Sequence, residues 1–240
     1  MNLTPPFRNS LLVTIGISLL VANAFVVLQP IHSLRYNLFI VLSSALALLV
    51  FGLYLFLNFR KYFYVFIFVV TLPLLVNFNR STIDPIELKT VYISQLRSFV
   101  GTSYVWGGEN CLGIDCSGLP RKSMINALWM YGVFHFNGVA IQKALYYWWY
   151  DASALELIGG YGGNAIVYSD VYVINEGNLK ALPGDMAITK GGIHVMVYLD
   201  KSQIIQAEPD RGNVVIDQLP EGGSPWYNVK VKLVRWSLLN

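Results

Sequence analysis

Gly113-Ile114-Asp115-Cys116-Ser117-Gly118, set just after Tyr104-Val105-Trp106-Gly107-Gly108, is the stretch around which this chain reads. It places a cysteine behind a glycine-rich loop and at the start of a predicted helix. A helix N-terminus presents unpaired N–H groups and a partial positive charge, and both favour a thiolate over a thiol. Downstream, Gly192-Ile193-His194-Val195-Met196-Val197-Tyr198-Leu199 reads as a strand with one histidine near its start. A thiol and an imidazole brought together by a fold make a nucleophile and its base.

Working outward, Ser117 to Val133 carries the apolar members of a helix, with Pro120 tolerated in its first turn. Asp84 before Pro85 is an N-cap followed by proline, and predicts a helix over 84–100 that stops at Gly101. An aromatic-rich helix is predicted over 139–151, and the glycine-broken stretch 155–163 reads as a loop. The last third reads as strands. Short ones fall at 165–168 and 171–174, and the main sheet at 187–189, 194–199, 204–207, 214–218 and 229–235, with glycine- and aspartate-rich turns between them. Helices first and hairpin-spaced strands later make an α+β fold, an antiparallel sheet packed on helices.

The N-terminal third is different. Of the whole chain 55% is hydrophobic and only 13% charged, about half the roughly 25% charge usual in soluble domains, so part of it is not in water. Three apolar runs, near 11–29, 38–58 and 62–78, read as transmembrane helices in a region 1–79, ahead of a globular domain 80–240. The first run is long for a signal peptide, and Val21-Ala22-Asn23-Ala24 lies inside it, so it reads as a span and not as a cleaved leader. Asn23 reads as an interhelical hydrogen-bonding group. Arg8 on the tail and Arg60-Lys61 after the second run outnumber Arg35 in the first loop. With three spans, the positive-inside rule puts residues from Arg80 onward on the periplasmic or extracellular side of the cell membrane.

Net charge is +3, with no basic run interleaved with aromatics, so no nucleic-acid partner is expected. The two cysteines, Cys111 and Cys116, are too few for a disulfide scaffold, although a bond between them would inactivate the nucleophile. No metal-ligand spacing appears among His32, His135 and His194; no metal and no cofactor are expected, and the first two histidines read as structural.

Tyr104-x-Trp106-Gly107-Gly108, Asp115-Cys116-Ser117-Gly118, Pro183-Gly184-Asp185 and His194-Val195-x-x-Tyr198-Leu199 together resemble the NlpC-type cell-wall endopeptidases, papain-like cysteine peptidases acting on bacterial peptidoglycan stem peptides. The resemblance runs from about Leu88 to Val234 and leaves out the membrane segments. It implies Cys116 as nucleophile and His194 as general base. Tyr104 matches a tyrosine that positions substrate, and Ser117 the serine after the nucleophile; Trp106 belongs to the same block and otherwise packs the loop. A third polar residue on the next strand orients the imidazole in the family. Gln206 falls there, where many relatives have histidine, and Glu208, on the same face, is the second choice. Asp185 reads as a turn cap. The long stretch from Trp148 to Leu179 departs from the family and is expected to reshape the substrate groove.

The function implied is a membrane-anchored cysteine-type endopeptidase, with stem peptides and the lipid bilayer as partners. Two other readings remain: a papain-like amidase or acyltransferase on a lipid or protein substrate, and a non-catalytic cell-wall peptide-binding membrane protein. Intact Cys116 and His194 argue against the last. The oligomeric state is not legible.

Overall fold

Proline and serine open the first two helices of the chain. Pro5 stands at the first position of α1 (Pro5–Leu28), and the Ser33 hydroxyl accepts from the Tyr36 N–H at the start of α2 (Leu34–Asn58). The structure, a computed structural model, describes residues 4–31, 33–75, 81–174, 181–219 and 223–240. His32, the end of the third expected span and residues 175–179 of the long departing stretch lie outside them. Two compact units divide the chain, residues 1–29 with 33–78 and residues 30–32 with 79–240.

In the first unit, α1 and α2 have 24 and 25 residues, and both are long and apolar enough to cross a membrane. At 1.5 Å per residue each reaches about 36 Å, against a hydrocarbon core of about 30 Å. Asn23 accepts a hydrogen bond from the Ser43 hydroxyl at 2.8 Å, tying α1 to α2 as its sequence position predicted. The third expected span is corrected. Phe59, in a non-helical conformation, ends α2, and α3 (Arg60–Leu75) then begins on the charged pair Arg60-Lys61 and has 16 residues. Its described residues reach about 24 Å, short of the length a span needs. Two helices, and not three, qualify among the described residues.

The second unit carries the α+β domain. Asp84 caps α4 (Pro85–Ser98) by accepting from the Ile86 N–H at 2.9 Å. A small hairpin, β1 (Glu109–Asn110) and β2 (Gly113–Ile114), precedes α5 (Gly118–Phe134), and Asn137 caps α6 (Gly138–Trp149). The stretch 155–163, expected as loop, overlaps the five-residue helix α7 (Ala154–Ile158). Ser153 and Glu156 cap each other's backbone there, a capping box the glycines obscured. The strands β3 (Ala165–Val173), β4 (Met186–Thr189), β5 (Val195–Tyr198), β6 (Gln203–Glu208), β7 (Asn213–Gln218) and β8 (Lys230–Trp236) form one antiparallel sheet in the order β3-β8-β4-β5-β6-β7. The two short strands expected at 165–174 are one strand, its register broken between Val167 and Val171.

Both faces of the sheet are covered. Ile188, Val195, Val197, Ile205 and Ala207 pack with the α4–α6 side chains Leu96, Leu119, Leu128 and Ala144. Ala187, Met196, Tyr198 and Ile204 face a second cluster with Tyr227, Val231 and Leu233. Double coverage explains why β4 and β5 read as continuous apolar runs although the sheet is antiparallel. Of the Tyr146–Tyr150 aromatics, Tyr147 is wholly buried and packs on Trp236 at 5.4 Å between ring centroids, as core.

Candidate active site

The loop before α5 is shaped by a carboxylate. Asp115 accepts hydrogen bonds through Oδ1 from the Ser117 N–H (2.9 Å), the Gly118 N–H (2.6 Å) and the Ser117 hydroxyl (3.0 Å), and through Oδ2 from the Gly107 N–H (2.9 Å). It caps α5 and pins the glycine loop to the helix start. Gly118 is required by contact: a Cβ there would stand 2.4 Å from the Gly108 carbonyl oxygen. Cys116 is held between these anchors, nearly buried.

The strand comes to meet it. The Ile193 carbonyl oxygen is 3.9 Å from Cys116 Sγ, and the Val195 N–H is directed at the same sulfur. The peptide groups on both sides of His194 thus flank the thiol. Thr189 fixes this turn, its hydroxyl accepting from the Ile193 and His194 N–H groups at 3.1 and 2.9 Å. Gly192, at φ +68°, lies so close to α7 that a Cβ would be 2.5 Å from the Leu155 Cα.

His194 is buried, and its Nε2 lies 2.8 Å from Gln206 Oε1. Neighbours decide which atom donates. Gln206 Nε2 faces two oxygens, the Tyr227 hydroxyl at 2.9 Å and Asp217 Oδ2 at 3.2 Å. The Tyr227 hydroxyl donates to Asp217 Oδ2 at 2.6 Å, so it accepts from Gln206. Arg211 Nη1 closes the chain on Asp217 Oδ1 at 2.7 Å. With both amide hydrogens used, Gln206 Oε1 is the acceptor and His194 Nε2 carries the proton. The lone pair of the neutral imidazole is therefore on Nδ1.

Glu208 makes no hydrogen bond to His194. It accepts from the Ser224 hydroxyl (2.7 Å) and from the Trp226 indole N–H (3.1 Å), and that indole stacks on the His194 ring. Tyr104 is half-buried. Burial raises its phenol pKa, with the charges of Cys116, Asp115 and Glu208 adding to the shift, and it stays a donor. Trp106 does not pack its loop: it is 78% exposed, at the rim of a cleft of about 260 Å³ beside Cys116. Asp151, Ser153, Ala154 and Glu156 form another wall of the cleft, so the departing stretch does shape the groove. Glu109 lines it too, in direct contact with the buried Arg121 guanidinium. Burial pushes the Glu109 carboxyl up to about 8, with Arg121 opposing.

Electrostatics act on both members of the pair. Burial, with Asp115 next, pushes the Cys116 thiol up to about 12 against the pull of nearby backbone N–H groups. Asp115 occupies the positive end of α5 that was expected to stabilise sulfur. Burial lowers the His194 pKa, with Gln206, Glu208, Asp115 and Asp210 opposing. Both shifts favour the neutral form of the group concerned.

Elsewhere, Asp185 accepts from the Leu182 N–H at 2.8 Å, as a turn cap, and pairs with Arg235 through both carboxylate oxygens. His135 pairs with Glu87 at 2.8 Å. Cys111 and Cys116 are both free thiols, the first exposed. Asp217, Tyr227, Arg211 and Trp226 escaped the sequence reading; the one signal was alternation along β7, which puts Asp217 opposite Ile204, beside the Gln206 position.

The NlpC/P60 family model matches residues 101–233, more than half of the chain. The chain belongs to the NlpC/P60 family. Solved structures are similar to the chain at low identity. The P60 domain of a Mycobacterium avium subspecies paratuberculosis antigen is 18% identical with a TM-score of 0.36, over 61% of this chain and 94% of that one. NlpC2 from Trichomonas vaginalis is 17% identical with a TM-score of 0.39, over 67% of this chain and 51% of that one. The peptidoglycan hydrolase RipB from Mycobacterium tuberculosis is 19% identical with a TM-score of 0.40, over 68% of this chain and 75% of that one. The chain thus spans about half the length of the Trichomonas protein. None of the curated proteins matches it by sequence.

Proposed function

We propose that this NlpC/P60 protein is a membrane-anchored cysteine peptidase that hydrolyses peptide bonds in peptidoglycan stem peptides. The observation that carries the reading is the hydrogen-bonded chain from Gln206 to His194, which leaves the imidazole lone pair on Nδ1 in the turn that flanks Cys116. In this reading His194 Nδ1 takes the Cys116 proton as sulfur attacks the amide carbon. The imidazolium then protonates the leaving amine, the C–N bond breaks and a thioester remains. Neutral His194 next draws a proton from water. The hydroxide opens the thioester, and the proton returns to sulfur. The Cys116 backbone N–H donates to the oxyanion, while Tyr104, Ser117 and Trp106 hold the peptide in the cleft.

The test is full-length protein in detergent with purified muropeptides, read by mass spectrometry. Loss of cleavage in Cys116→Ala supports the peptidase, and the product masses identify the bond. Cleavage retained in Cys116→Ala overturns it.

The domain is proposed to lie outside the membrane because the family's substrate is there. Two spans put Arg8 and Arg60-Lys61 on the side of the domain, so the charge bias pulls toward the cytoplasm and the placement rests on the substrate alone. The exposed Cys111 decides it. Labelling by a membrane-impermeant maleimide in intact cells, absent in Cys111→Ser, supports the outer side. Labelling only after permeabilisation overturns it.

A further inference from the structure

Glu208 is 1% exposed, yet among the described residues no lysine or arginine forms an ion pair with it. A buried carboxylate without a paired cation is costly, and Arg211, which pairs with Asp217, acts on Glu208 through its field alone. Its two hydrogen bonds both serve one object. Ser224 donates to Oε2, and Oε1 holds the Trp226 indole N–H. That indole lies on the His194 ring with centroids 4.5 Å apart and planes 17° from parallel. Burial lowers the His194 pKa, so forming the imidazolium is the step that this site makes difficult.

We infer that Trp226 and Glu208 form a positioning cap for the catalytic imidazolium: the indole face takes the transient positive charge, and the carboxylate anchors the indole and supplies the counter-charge. The inference rests on His194 acting as the base. A cation over an indole face is stabilised, more so when desolvated. A carboxylate on the indole N–H draws electron density toward the ring and raises that attraction. The indole also keeps water from the Nε2–Gln206 hydrogen bond, which is stronger for that exclusion. Glu208 therefore has a role that hydrogen bonding to His194 would not have given it: it acts through Trp226 and through its field.

The charged groups acting on His194 are Glu208 and Asp210 from β6 and the turn after it and Asp115 from the start of α5; Asp217, with Tyr227 and Arg211, lies beyond Gln206, and Cys116 contacts the Ile193 carbonyl next to His194. Of these, only Glu208 is joined to a ring stacked on the imidazole.

The experiment measures kcat and KM for muropeptide cleavage between pH 5 and 9 in full-length wild type, Trp226→Phe, Trp226→Leu, Glu208→Gln and Glu208→Ala. Trp226→Leu keeps apolar cover but no π face. It is expected to lose roughly tenfold in kcat with KM little changed, and to move the acid limb of the profile down by about half a pH unit to one unit. Trp226→Phe restores part of both. Glu208→Gln keeps its oxygen on the Trp226 N–H and turns its NH2 to the Ser224 hydroxyl, which then accepts; it removes the charge, and it moves the acid limb in the same direction while leaving the fold intact by circular dichroism. Glu208→Ala does more, because the indole is released.

An acid limb unmoved in Trp226→Leu and Glu208→Gln, with Cys116→Ala inactive, overturns the cap and leaves the peptidase standing. Activity surviving in Cys116→Ala overturns the peptidase and the cap with it. A folded Trp226→Leu with wild-type kcat overturns the cap alone.

Discussion

The two sides of the site are built in different ways. On the nucleophile side, what fixes the backbone around Cys116 lies within a dozen residues of it: Asp115 two to three residues before the N–H groups it caps, Gly118 under the Gly108 carbonyl, Gly107 on the same carboxylate. On the base side, His194 depends on Gln206, Asp217 and Tyr227, and on Trp226 held by Glu208, gathered from β6, β7 and the turn before β8. A local motif can fix a backbone because capping and close approach act over one turn. Fixing a ring tautomer needs acceptors on several sides, and neighbouring strands supply them.

The sharpest way to break the nucleophile side is Cys116→Ala. Cleavage is expected to fall by four orders of magnitude or more, roughly the loss seen when a nucleophile is removed elsewhere, with the unfolding midpoint little changed. Gly118→Ala attacks the same side through the backbone. Its Cβ cannot coexist with the Gly108 oxygen, so a stability loss of about 2–4 kcal/mol is expected in urea unfolding, with activity lost in step. If Gly118→Ala were as stable as wild type, the close-approach account of this loop would be wrong.

The base side is expected to fail more gradually. Gln206→Ala removes the acceptor of His194 Nε2 and should lower kcat by roughly 5–150-fold, the worth of a hydrogen bond of about 1–3 kcal/mol to a group that becomes charged. Tyr227→Phe leaves Asp217 to hold the amide and should cost less than tenfold. Equal losses in the two variants would mean that the hydroxyl, and not the amide, orients the ring.

The smallest effect is in pH. Burial holds the His194 pKa below its ordinary value, so the folded protein binds fewer protons than the unfolded chain in the window just below 6.5. The stability that His194 contributes is present above that window and lost as pH falls through it. The difference in unfolding free energy between wild type and His194→Gln should therefore grow from pH 5 to pH 7. A difference that shrinks over that range would reverse the sign of the shift.

Much of this was readable in the chain. Asp84-Pro85 announced α4, the apolar runs announced β4 and β5, and the glycine-flanked Asp115-Cys116-Ser117 announced the turn into α5, because each depends on residues adjacent in sequence. The α7 helix was missed because Gly159 to Gly163 dominate its neighbourhood, while its capping pair spans only Ser153 to Glu156. The third span does not qualify among the described residues: Phe59 ends α2, and α3 begins on Arg60-Lys61 with 16 described residues.

The sequence by itself determined that Cys116 sits at a helix start, that His194 comes just at the start of a strand, and that the first two apolar runs are long enough for a bilayer; it read the third run as a span as well. Only the tertiary structure decided the direction of the pKa shifts and the partners. Asp115 turned its carboxylate to the helix N-terminus, and burial raised the thiol pKa. Gln206 took the imidazole N–H, and Glu208 took the indole. Burial and hydrogen-bond direction set these outcomes, and both depend on which strands become neighbours.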